Sequence, residues 1–316
     1  MRSTLTRRSF LGATLAAWPS VASLRAAASS RAMGWKLGII ADEITENFEQ
    51  ALDFISHYSL GYVELREMWQ KNIMNLSQEQ LDRAKGLVGK HHLKVTDIGS
   101  PVFKYNLPEM PTQQEKRDTF RADFTEQDTD HLLQKSFKLA KFFGTRKVRI
   151  FSYWRVPDPE KAYPYVRERL AKAAKLAGEN DILLILENEH ECNIGTGKEL
   201  GRIIRDINSP HLRGNWDPGN AAMLHEVPYP NGYNHVKGLF AHMHIKDVKK
   251  GPGGKLAWAP VGGGFINWKG QFEALRRDKF EGDMALETHY RRPDGNRMES
   301  TRESLMGLFK VIKETA

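Results

Sequence analysis

The chain has 316 residues, 40% of them hydrophobic and 27% charged, with one cysteine and a formal net charge of +8. That composition holds too much core material for a disordered protein and too little cysteine for a disulfide scaffold. Five of the 47 basic residues (Arg2, Arg7, Arg8, Arg25, Arg31) lie in the first 31 positions, which hold no acid; the other 42, against 39 acidic residues, leave no electrostatic footprint for nucleic acid.

In chain order, the first feature is Thr6-Arg7-Arg8-Ser9-Phe10-Leu11, which resembles the twin-arginine export motif, followed by a modestly apolar run and then small residues over 22–30. Residues 1–31 are therefore expected to be a processed leader read by the twin-arginine export machinery, with the mature protein periplasmic or secreted. The apolar run is far shorter than the roughly 20 residues that span a bilayer, so no stable membrane insertion is expected after processing. Cys192 has no partner, and the exported fold must be stable from its own core.

From Trp35 onward, short apolar runs alternate with helical patterns, and no linker divides them, so 35–316 is expected to form one domain. Strands are expected at 36–40, 62–65, 94–98, 147–151, 182–186, 212–216, 239–245 and 284–286. Helical periodicity marks 47–57, 78–91, 127–143, 163–179, 197–207, 268–277 and 297–313. Eight such alternations predict an α/β fold, a (β/α)8 TIM barrel, over an open doubly wound sheet. The glycine-rich stretch 249–266 is expected to be a long mobile loop, and its glycines follow no nucleotide-binding pattern.

The active site of such a barrel gathers at the C-terminal strand ends. Strand five ends in Glu187, six in Asp217, seven carries His244 and eight ends in Glu287, at separations of 30, 27 and 43 residues. Adjacent strands lie about 5 Å apart, so the four side chains can converge on one ion. Each alone could cap a helix, pair with an arginine or fill the core. Together, three carboxylates and an imidazole make a hard site that favours Mn²⁺, with Mg²⁺ or Co²⁺ possible.

Through Ile185-Leu186-Glu187-Asn188, Asn215-Trp216-Asp217-Pro218-Gly219-Asn220, His244-Ile245-Lys246-Asp247 and Ala285-Leu286-Glu287, the chain resembles the xylose isomerase-like sugar isomerase/epimerase family. Gly61-Tyr62-Val63-Glu64-Leu65 and Pro260-Val261-Gly262-Gly263-Gly264 are similar to further family features. The resemblance implies Glu187, Asp217, His244 and Glu287 as ligands of one divalent metal. In the ketose 3-epimerase branch it also implies Glu187 and Glu287 as the pair that exchanges a proton on the substrate carbon. Asn220 stands where that branch tends to carry histidine, and Asn193 where a further glutamate is expected.

The partner implied is a small-molecule sugar or sugar derivative, bound with help from Glu64, Trp154, His190, Asn220, Lys246 and His289. Trp69, Tyr153 and Trp216 are further aromatic candidates, Trp216 with a competing place in the core, and Arg66 and Ser152 further polar ones. Two other functions remain beside epimerisation or isomerisation. One is a lyase that removes the same proton from a 3-keto-glycoside and expels the aglycone, with His190, Lys246 or His289 as proton donor. The other is a non-catalytic periplasmic sugar-binding protein. Related apurinic endonucleases would imply three zinc ions, further histidines and a basic face, which this charge balance does not provide. The sequence is compatible with a homo-oligomer and does not fix one.

Overall fold

The structure, a computed structural model, describes residues 34–113 and 117–315. The expected leader lies outside the described residues. Among these, eight parallel strands close into a barrel: β1 (Lys36–Ile40), β2 (Tyr62–Leu65), β3 (Lys94–Gly99), β4 (Lys147–Ile150), β5 (Leu183–Glu187), β6 (Leu212–Trp216), β7 (Phe240–Ile245) and β8 (Asp283–Leu286). The order is sequential, and β1 closes the ring by pairing with β2 through Gly38 and Tyr62 and with β8 through Gly38 and Ala285. The strands read as continuous apolar runs because both faces are covered, the outer one by helices. Ile39, Val63, Ile98, Val148, Ile150, Leu184, Leu186, Met243 and Leu286 are all fully buried. The TIM barrel expected from the sequence is thus the observed fold, with each strand within one residue of its expected place.

The outer helices are α1 (Phe48–His57), α2 (Gln78–Lys90), α3 (Thr129–Phe143), α4 (Pro159–Glu179), α5 (Gly197–Ile207), α6 (Pro218–Met223), α7 (Trp268–Arg277) and α8 (Arg297–Glu314). Ser77 with Gln80, and Thr196 with Glu199, form capping boxes that satisfy the orphan amides starting α2 and α5. α4 starts four residues before its expected onset, because Pro159 sits at the first helical position, where no amide hydrogen is needed. Pro164 then costs one intrahelical bond, and the stripe of Val166, Leu170, Ala173 and Ala177 buried on the barrel holds the helix. The six-residue α6 was not expected; its cap is Asp217, which accepts a hydrogen bond from the Asn220 amide.

The connection expected as an open glycine-rich loop is instead an antiparallel hairpin, Asp247–Lys250 against Leu256–Ala259. Buried Asp247 organises it by accepting hydrogen bonds from the amides of Val248 (2.8 Å), Gly262 (2.9 Å), Gly264 (3.2 Å) and Ile266 (3.4 Å). A Cβ at Gly264 would run into the Asp247 carboxylate, so glycine is required there by close approach. No helix among the described residues is long and apolar enough to cross a membrane.

Candidate metal centre

Parallel strands bring their C-terminal ends to one rim, and four of those ends place Glu187, Asp217, His244 and Glu287 so that one donor atom of each lies within 4.8 Å of the others. His244 Nδ1 is the hub, 3.3 Å from Glu187 Oε1, 3.1 Å from Glu287 Oε2 and 3.7 Å from Asp217 Oδ2. The backbone that sets this geometry is itself fixed. Asn188 donates through Nδ2 to the Asp217 carbonyl and accepts from the Asp217 amide, both at 2.8 Å, tying the ends of β5 and β6 together. The Glu287 amide donates to the Ile245 carbonyl at 3.0 Å, tying β8 to β7.

Three buried carboxylates repel each other unless cations stand among them. Lys246 Nζ lies 2.9 Å from Asp217 Oδ2 and 2.7 Å from Glu287 Oε2. Arg66 Nη1 donates to Glu287 Oε1 at 2.9 Å, while Nη2 reaches Asp42 (2.6 Å) and Glu43 (2.7 Å). Arg149, fully buried in β4, lies between Glu187 (3.5 Å) and Glu64 (3.3 Å). A Cβ at Gly99 would sit 3.0 Å from the Arg66 Cβ and 3.2 Å from both Arg149 and Glu64, so the glycine ending β3 leaves room for this layer.

The resulting charge states differ across the ring. Burial pushes Asp217 up to about 6, with Glu187 and Glu287 adding to the rise and Lys246 offsetting part of it. Burial opposes the charge of Glu287 too, but Lys246, His289 and His244 outweigh it and hold that carboxyl well below the usual range. Burial would lower His244, but Glu64, Glu187 and Glu287 raise it well above an ordinary histidine.

The donor set fits a divalent ion. Glu187 Oε2 and Asp217 Oδ2 are buried without a well-aligned hydrogen bond, facing the Arg149 guanidinium at 3.5 Å and the Lys246 ammonium at 2.9 Å respectively, so both have a lone pair open to an ion. His244 turns Nδ1 to the ring and Nε2 to Glu64 Oε2 at 3.0 Å, the arrangement by which a carboxylate fixes the tautomer of a ligating imidazole.

The other expected site residues divide. Asn220 Nδ2 donates to Glu187 Oε1 at 3.1 Å and its Oδ1 lies 2.9 Å from His190 Nδ1. His190 is in turn 2.6 Å from buried Glu189, which outweighs the lowering effect of burial and raises the imidazole. His289 Nε2 is 3.2 Å from Glu287 Oε1. Lys246, His190, Asn220 and His289 are thus gathered at the ring. Glu64 lies instead against the far side of the His244 ring, fully buried. Trp154 has no exposed face, packed against Lys104 and Arg117. Trp216 belongs to the core, donating to Gln271 at 3.1 Å; Tyr153 is bonded to Glu126, Trp69 to Glu49, and Ser152 to the Ile194 amide. Asn193 is spent on the backbone, donating to the carbonyls of Ser152 and Trp154 and accepting from the Val156 amide.

Sequence reasoning missed Asp42 and Glu43, although they lie just past the C-terminal end of β1, at the same rim as the four candidate ligands. It also missed Arg149, whose sign in an apolar strand is the available signal, and Trp258 on the hairpin, for which periodicity offers none.

Residues 52–311 match the sequence profile of the Xylose isomerase-like TIM barrel family. Several solved structures share the fold. A xylose isomerase-like TIM barrel protein from Mycobacterium smegmatis in complex with magnesium is 17% identical, covering 84% of this chain and 89% of its own, at a TM-score of 0.61. D-psicose 3-epimerase with D-tagatose from Clostridium cellulolyticum H10 is 14% identical over 89% of this chain and 99% of its own (TM-score 0.64). The apo form of 3-keto-D-glucoside 4-epimerase from E. coli is 18% identical over 87% and 99% (TM-score 0.62). At these identities the likeness is one of fold. None of the curated proteins matches this sequence. From the profile match and the closed eight-stranded barrel together, the chain belongs to the Xylose isomerase-like TIM barrel family.

Proposed function

We propose that this chain is a divalent-metal-dependent enzyme of the sugar isomerase and epimerase type that removes a proton from the carbon beside a sugar carbonyl. The observation that carries this reading is the meeting of Glu187 and Glu287, from non-adjacent strands, at the same nitrogen of His244 (3.3 and 3.1 Å). Two carboxylates thereby flank one small space. The solved neighbours that act as a D-psicose 3-epimerase and a 3-keto-D-glucoside 4-epimerase support it.

A divalent ion, Mn²⁺ by the hardness of the donors, held by Glu187, Asp217, His244 and Glu287 would supply Lewis-acid polarisation of the carbonyl. The chain supplies the proton transfers. Glu187, with Oε1 held by Asn220 and Oε2 facing Arg149 at 3.5 Å, is fixed in orientation to take a proton from the substrate carbon. Glu287, on the other side, contacts Lys246 and His289, which orient its carboxyl for proton exchange on the opposite face. Arg66 and Arg149 keep both carboxylates oriented.

A second reading has its own observation. The Glu189–His190 pair, 2.6 Å apart beside Asn220, is an oriented acid that could protonate a departing aglycone, as elimination from a 3-keto-glycoside requires. Proton NMR of the Mn²⁺-loaded protein in D₂O, with free ketoses and 3-keto-glycosides, separates the possibilities. Deuterium beside the carbonyl with an epimer as product supports epimerisation, and release of the aglycone supports the lyase. Absence of exchange from every member would overturn both in favour of a sugar-binding protein. The twin-arginine motif supports export to the periplasm, which fractionation of cells carrying Arg7→Lys with Arg8→Lys would test by retention of the protein in the cytoplasm.

A further inference from the structure

The mouth of the ring is spanned by a residue that no motif marks. Trp258 lies on the hairpin after β7, register partner of Val248, half-buried. Its ring centre is 5.1 Å from the Lys246 ammonium, which bridges Asp217 and Glu287. On one side it meets the His289 ring at 5.1 Å and 75°, and on the other the His190 ring at 5.8 Å and 74°. His289 touches Glu287, and His190 reaches Glu187 through Asn220. One indole is therefore linked to Glu287 through a single residue and to Glu187 through two. The hairpin that carries it is clamped at its base by the four amide bonds to Asp247, while its tip at Pro252–Gly254 is exposed.

We infer that Trp258 is the roof of the substrate site and that it selects a sugar whose ring is closed while its ketone is free, the chemistry of a keto-glycoside. The inference rests on the proton-abstraction reading and narrows its substrate. An indole face binds a sugar through a flat array of C–H bonds, which a closed pyranose ring presents and an open chain does not. A free ketose exposes its carbonyl only when its ring opens, because ring closure consumes that carbonyl. A glycoside oxidised at a ring carbon keeps both, since its acetal locks the ring and leaves the ketone untouched. A roof of this kind over a carboxylate pair is therefore matched to the second class.

The test uses the full mature protein, Mn²⁺-loaded, as wild type, Trp258→Phe and Trp258→Ala, with folding checked by circular dichroism. Binding is read first, without turnover: methyl β-D-glucopyranoside, which has no ketone to react, should change the tryptophan emission of wild type, and the change should be absent in Trp258→Phe. Exchange in D₂O is read second, with methyl 3-keto-β-D-glucopyranoside and with erythrulose, a ketose too short to close a ring. Trp258→Ala should raise KM for the keto-glycoside about tenfold, with kcat within about twofold and Trp258→Phe recovering most of the loss. Exchange of the keto-glycoside with KM unmoved and no emission change overturns the roof while leaving the carboxylate chemistry standing. Preference of wild type for erythrulose overturns the closed-ring assignment. Absence of exchange from both substrates overturns the carboxylate chemistry, and the emission change then decides the roof by itself.

Discussion

The two halves of the barrel use charge differently. β5 to β8 deliver Glu187, Asp217, His244 and Glu287, the donors of the ring. β1 to β4 and their loops deliver Arg66, Lys104 and Arg149, with Asp42, Glu43 and Glu64 to orient them. Lys246 meets part of the second half's charge from within, and Arg66 and Arg149 reach across to Glu287 and Glu187 for the rest, because a desolvated carboxylate or guanidinium without a partner costs several kcal/mol. The acid-rich wall is thus tolerated because Lys246 stands within it and the guanidiniums of Arg66 and Arg149 face it. On the proposed function the difference also separates roles: residues of the second half would act on a ligand, and those of the first half hold them in place.

That division can be broken most sharply from the second half. Glu287→Gln removes a donor and an acid/base group together while keeping the side chain's shape and its contact with Arg66. Turnover should fall by about a thousandfold or more with the fold intact. A variant with near-normal exchange in D₂O would exclude Glu287 from the chemistry.

A break from the first half should appear in stability. Arg149→Met leaves Glu64 and Glu187 buried without their shared cation, at a cost of about 3–5 kcal/mol by urea denaturation. Adding Glu187→Gln to the same chain removes one of the stranded charges and should restore part of the loss. Strict additivity of the two substitutions would mean that the facing walls are not coupled.

Metal binding sharpens the same contrast with a smaller effect. Mn²⁺ at about a hundred times its dissociation constant should stabilise the protein by about 2.7 kcal/mol, read as a rise in the thermal midpoint that a chelator reverses. Asp217→Asn should abolish the rise but keep α6 capped, since an amide oxygen can still accept from the Asn220 amide. A rise of the same size in that variant would place the ion elsewhere.

The contrast also explains what the sequence made legible. The eight strands are apolar runs broken by helical periodicity, so their order and bounds follow from local pattern. The four ring donors stand directly at strand ends, where a barrel makes position equivalent to proximity. The cationic wall has no such signature: Arg66 and Glu287 are 221 residues apart, and only the closed fold brings them together. Glu64 has a ligand's position on β2, yet the pleat turns it to the inner edge of His244, where it reaches the imidazole and Arg149. The hairpin after β7 was hidden for a different reason. Its order comes from Asp247 gathering four amides, a contact that glycines permit but do not announce.

The smallest effect expected is a pH dependence confined to the first half. Glu67 follows β2, and its carboxyl is pushed up to about 7 by burial and then by Asp42, with Arg66 and Arg121 offsetting part of the rise. In the unfolded chain it returns to an ordinary carboxyl near 4.5. The folded state therefore binds this proton more tightly than the unfolded one. Its contribution is fully present below about pH 4.5 and is lost as pH rises through about 7. Glu67→Gln, permanently neutral, should escape that loss. The stability difference between variant and wild type should therefore move in the variant's favour from pH 5 to pH 8, by on the order of 1 kcal/mol, because partial exposure screens the full shift. Urea midpoints at the two pH values measure it. A difference that does not change with pH would mean that Arg121 and Arg66 already neutralise Glu67, and that the cationic wall extends beyond the residues touching the ring.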